Sequence, residues 1–92
     1  MPRFGTLHSM RRNRPDLFVE VKGLQASLRA DGTRAWAGEL DDAVLGGATG
    51  TEIRGRLGIV LDRMRKADDV SRDNRRVARR LLRTIRRDAR RP

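Results

Sequence analysis

Leu17, Val21, Leu24 and Leu28 follow one another at 4-3-4 spacing, the interval that stacks side chains on one face of an α-helix. Pro15 stands near the first helical position with Asp16 in the first turn, and Gly32 can take positive φ at the far end. The pattern therefore predicts a helix over 16–31. Leu24, Ala26, Leu28 and Ala30 also alternate with polar residues up to Asp31-Gly32, the pattern of a hairpin strand. Helix is preferred, because Leu, Gln, Ala and Arg are helix formers and β-branched residues are nearly absent here. Thr33 is placed to cap a second helix over 33–45. Its apolar face is Trp36, Leu40, Ala43 and Val44, with Trp36 read as a core anchor rather than a stacking surface for a ligand.

Gly46-Gly47 closes that helix, and the next start is the clearest in the chain. Thr49 to Glu52 has the form Thr-x-x-Glu, in which the threonine oxygen takes the third amide and the glutamate returns to the threonine amide. Ile53, Leu57, Val60, Leu61 and Met64 then share one arc, completed by Ala67, so a third helix is expected over 50–67. Gly55 and Gly58 fall on the opposite side, each weakening the helix by about 0.5–1 kcal/mol. They admit a close approach by a partner's backbone or are simply tolerated in solvent, and the second reading is preferred. Glu52–Arg56 and Asp62–Lys66 are i,i+4 pairs in the favourable order.

Asp68, Asp69 and Ser71 mark a break, with Ser71 or Asp69 as cap of a last helix over 70–90. Val70, Val77, Ala78, Leu81, Leu82, Ile85 and Ala89 lie on one side of it. The ten arginines of 72–91 all lie within the remaining arc of roughly 160°. The elements together predict an all-α fold: a small bundle of three to four helices in one domain over 16–92. A disordered basic arm over 1–15 precedes it, where Pro2, Gly5, Asn13 and Pro15 interrupt scattered arginines.

Charge changes this picture more than composition does. The net +10 divides into +4 over 1–15, −2 over 16–70 and +8 over 71–92, so the cationic excess sits at the chain's ends. Such segregation suggests an anionic partner. Twenty of the 22 basic residues are Arg, which GC-rich coding alone would produce, so the preference for Arg over Lys carries no argument. With 92 residues the core is thin, and self-association is a fair expectation. No run approaches the roughly 18 apolar residues of a membrane span, and the N-terminal arginines precede no apolar stretch of a secretory signal. The chain has no cysteine, hence no disulfide, thiolate metal site or cysteine nucleophile, and a cytoplasmic setting is expected.

Little else in the chain carries chemistry. Gly46-Gly47-Ala48-Thr49-Gly50-Thr51 could present amides to a phosphate, but it lacks the Gly-Lys-Ser/Thr ending, and Glu52 would compete with the anion. A structural turn explains every residue of it. Ala43, Gly47 and Ile53 have the spacing of a helix-turn-helix, which would offer Thr51, Arg54 and Arg56 to bases. A plain helical hairpin explains that spacing equally well. The one histidine, His8, lies in the arm, and the adjacent Asp41 and Asp42 point about 100° apart on a helix. No nucleophile–base–orienter set and no metal cluster emerges, so no enzyme activity, cofactor or metal is expected.

Trp36-x3-Leu40-x2-Ala43, followed by Gly-Gly-x-Thr-Gly-Thr-Glu-Ile at 46–53 and Leu57, resembles small uncharacterised bacterial helical proteins over residues 33–61. That resemblance implies an all-α fold and no particular activity. The functional expectation rests on the last helix: a non-catalytic, basic, nucleic-acid-associated protein. It would use Arg72, Arg75, Arg76, Arg79, Arg80, Arg83, Arg86, Arg87 and Arg90, helped by the arm. With three aromatics and no Tyr, stacking of single-stranded bases is poorly provided for. Membrane-surface binding is disfavoured, since the basic helix has no Trp or Phe anchor. The alternative is a protein–protein interaction or structural module, pairing in a homo-oligomer or docking on a larger or acidic protein partner.

Overall fold

Four α-helices form where the apolar spacing predicts them: α1 (Leu17–Ala30), α2 (Arg34–Gly46), α3 (Gly50–Met64) and α4 (Arg72–Arg90). The computed structural model describes residues 16–90; the basic arm and Arg91 lie outside the described residues. Each helix packs on its neighbours in sequence and the fourth returns to the first, while the diagonal pairs bring no Cα atoms within 8 Å. The result is a four-helix bundle closed as a ring. Leu28, Leu40, Leu57, Leu61, Met64 and Leu81 fill its centre, almost entirely withdrawn from solvent.

The helix ends follow capping chemistry, with several departures from expectation. Asp16 is the N-cap of α1 and not a first-turn residue: its Oδ1 accepts the Phe18 amide at 2.8 Å. The hairpin alternative is excluded, since 24–30 is helical throughout and Gly32 leaves α1 at φ 82°. Thr33 makes no side-chain cap to α2. Its hydroxyl donates instead to the Leu28 carbonyl at 2.9 Å, the same oxygen that accepts the Thr33 amide at 2.8 Å, and so closes the end of α1. Thr49 does cap α3, accepting the Glu52 amide at 3.1 Å, but Glu52 reaches past Thr49 to the Ala48 amide at 2.9 Å. The capping box closes one residue early, and Glu52 and Arg56 form no ion pair. Helix α3 ends at Met64, not 67, and Ala67 packs on the core from the following turn.

Further adjustments concern which faces are buried. Ala37 joins Leu40 and Ala43 as the buried stripe of α2, while Trp36 and Val44 are only half-buried at its edge. Trp36 donates its indole N–H to Asp69 at 3.1 Å, and the Arg63 guanidinium lies over its ring at 5.3 Å. With Asp69 engaged there, Ser71 is left to cap α4, accepting the Asn74 amide at 3.2 Å. On α4, Ala89 is exposed rather than apolar-face core and lines an open hollow with Thr51, Arg54 and Gly55 of α3. Asn74 by contrast is 3 % exposed: it accepts from Ser27 Oγ at 2.8 Å and donates to Asp31 at 2.9 Å. These bonds set the start of α4 against the end of α1.

The glycines of the α2–α3 turn divide into one that is required and one that is not. A Cβ on Gly47 would sit 2.6 Å from Ile53 Cγ1 and 2.9 Å from the Ile53 amide nitrogen, inside hard-sphere contact with a backbone atom. A Cβ on Gly46 would meet only the flexible Arg56 guanidinium, at 3.2 Å. Gly47→Ala is therefore expected to destabilise the fold by about 1–3 kcal/mol, and Gly46→Ala by much less. Urea denaturation followed by circular dichroism measures both; equal midpoints would remove the turn's claim to this close approach.

Candidate nucleic-acid interface

The arginines of α4 share one face because the other is occupied. Ala78, Leu81, Leu82 and Ile85 are buried against α1 and α3, which rotates every arginine of the helix towards the outside. Intramolecular partners then divide the nine expected site residues. Arg80 pairs with Glu20 of α1 at one edge of the face. At the other edge Arg86 approaches Asp62 of α3 at 3.7 Å, and Arg75 is directed at the Ala67 carbonyl, 3.5 Å away. Arg72, Arg76, Arg79, Arg83, Arg87 and Arg90 have no hydrogen-bond or ion-pair partner among the described residues.

These six follow at 4-3-4-4-3 spacing, so they form a single row along the helix. The row is about 27 Å long at 1.5 Å rise per residue. The like charges repel one another through water and lower the stability of α4, since pairs at i,i+4 of one sign each cost a few tenths of a kcal/mol. No amide or free hydroxyl interrupts the row. Asn74 is buried in its own hydrogen bonds, and the Thr84 hydroxyl donates to the Arg80 carbonyl at 3.2 Å. The row offers guanidinium groups, which fork onto phosphate oxygens or a guanine edge, and no amide or hydroxyl to read the other bases.

Asp62 anchors the α3 edge of this surface. The hydrogen bond from Arg65, 2.8 Å, is the main reason its carboxyl titrates below the ordinary value of 3.8. The charges of Arg65 and Lys66 act in the same direction against partial desolvation. Because the folded value is the lower one, the stabilisation is complete above the ordinary value and disappears as pH falls through the folded value. Asp62→Asn is thus expected to flatten the loss of stability below about pH 4, read by urea titrations at several pH values. An unchanged acid limb in the variant would contradict this.

The other sequence candidates are resolved differently. In the α2–α3 turn, the Ala48 amide that a phosphate would use already donates to Glu52. Ala43, Gly47 and Ile53 do pack as a helical pair, yet α3 lies between α2 and α4, and Gly47 is extended at φ −97°. Of the residues a recognition helix would present, Arg54 is half-buried, and its Nε is buried without a hydrogen-bond partner among the described residues. Arg63, outside the expected set, is held by Glu39 at 2.6 Å. A cleft of about 770 Å³ near the C-terminal end of α4 is lined by Arg54, Arg80 and Arg87 but also by Asp16, Glu20 and Asp88. Its charges balance, so it is no anion pocket.

No family model, curated protein or solved structure matches this chain. The candidate interface therefore stands on its own geometry. Among the described residues no group of three or more His, Cys, Asp or Glu is arranged to hold a metal ion, and no helix is long and apolar enough to cross a membrane.

Proposed function

We propose that the chain is a non-catalytic protein that associates with double-stranded nucleic acid through its phosphates, with little dependence on sequence. The observation that carries this reading is the row of six arginines on one face of α4 that have no partner among the described residues. Their mutual repulsion weakens the helix when nothing is bound, and a polyanion relieves it. Guanidinium forks suit phosphate oxygens. A helix about 10–12 Å across also matches a DNA major groove about 12 Å wide. The row has no Asn, Gln or acid to read adenine or cytosine edges, which limits sequence dependence, and the few aromatics favour a duplex over single strands.

The test is fluorescence anisotropy with mixed-sequence duplex DNA and duplex RNA at two salt concentrations. Binding that weakens steeply with salt and barely distinguishes sequences supports the reading. Absence of salt-dependent binding, or equal binding by a chain ending at Val70, overturns it.

A further inference from the structure

Helix α3 turns an isoleucine directly away from the core. Ile59 is 65 % exposed and forms a ridge beside a shallow hollow between α2 and α3. Ala43 and Val60 floor that hollow, and Glu39, Asp42 and Arg56 stand at its rim. Glu39 is neutralised by Arg63 at 2.6 Å, whereas Asp42 and Arg56 are exposed and have no ion-pair partner among the described residues. One turn before Ile59, Gly55 is exposed, and a Cβ built there meets nothing within 4 Å, so the helix surface is flat beside the ridge.

We propose that this face is the contact between two copies of the chain. In a two-fold pairing the same patch faces itself, so a usable patch must hold both a knob and a hollow, and both signs of charge. The α3 face does: Ile59 of each copy fits the Ala43–Val60 hollow of the other, and Asp42 of each copy faces Arg56 of the other. The arginine row of α4 cannot serve, because two copies would oppose guanidinium to guanidinium. A second copy carries the same net charge of +10 and can approach only where signs alternate. Gly55 lets the two helices come close. One ridge and one hollow per copy is a small contact, and the dimer dissociates in the micromolar range.

Sedimentation velocity on nuclease-treated full-length protein tests this, with circular dichroism confirming the fold of each variant. The parent is expected to shift from monomer to dimer across micromolar concentrations. Ile59→Arg should remain monomeric throughout. Asp42→Arg and Arg56→Asp should each weaken association at least about tenfold, and the double swap should return it close to the parent. A parent that stays monomeric overturns the proposal, as does dimerisation unaffected by Ile59→Arg or a double swap that restores nothing. None of these outcomes depends on nucleic-acid binding by α4.

Discussion

Replacing Arg76, Arg79 and Arg83 with Gln should both weaken binding to duplex DNA and halve its salt dependence. If all six unpartnered arginines engage phosphates, the logarithm of affinity falls with the logarithm of salt at a slope of about −5. Between about 50 and 200 mM salt the parent then loses roughly a thousandfold in affinity. With three contacts left the slope becomes about −3, and the loss over the same range falls to a few tens-fold. The informative comparison is Arg75, Arg80 and Arg86→Gln, which removes equal charge from residues already engaged within the chain. That variant should change the slope much less. Identical slopes for the two triple variants would mean that net charge alone governs binding. Anisotropy titrations over a salt series measure both. Because glutamine removes like-charge repulsion along α4, the first variant should also be no less stable than the parent, which separates lost contacts from lost fold.

Leu57→Ala is expected to have the largest effect on stability. Leu57 is fully buried on α3, the helix that packs on both α2 and α4. Deleting its three outer carbons costs about 2–5 kcal/mol. A chain of this size has a total stability of roughly 5–10 kcal/mol, so the variant stands near the edge of unfolding at ambient temperature. Urea denaturation reads the loss directly, and a parental midpoint would contradict the central place given to α3. The variant also tests how binding and folding are linked. Duplex bound only by the folded bundle at 100 times its dissociation constant restores about 2.7 kcal/mol. If added duplex leaves the midpoint unchanged, α4 binds without needing the bundle behind it.

Helix content was readable from local pattern because each helix announces its own buried stripe and its own ends. The 4-3-4 spacing of Leu17, Val21, Leu24 and Leu28, the Thr49 cap and the Gly32 exit depend only on neighbours along the chain. The departures have a common cause in competition from distant groups. Asp69 could cap α4, but the Trp36 indole takes it; Thr33 could cap α2, but its hydroxyl serves α1. Asn74 reads as one more polar residue on a basic helix until Ser27 and Asp31 are brought beside it.

The same division holds for the candidate interface. Sequence periodicity alone determined that the arginines of the last helix share a face, since an angle around a helix depends only on position in the chain. Composition alone shows that these 92 residues contain no cysteine. Which of those arginines are free was decided only by tertiary structure. Glu20 and Asp62 lie on other helices, 60 and 24 residues from the arginines they hold, and only packing brings them to the edges of the row. Packing thus leaves six arginines in a single line rather than nine spread over a broad face. It also leaves Ile59 outward between a hollow and a charged rim, because the opposite side of α3 is filled by Leu57, Leu61 and Met64. Spacing sets the direction of a side chain, and the neighbours that arrive on folding set whether it is occupied.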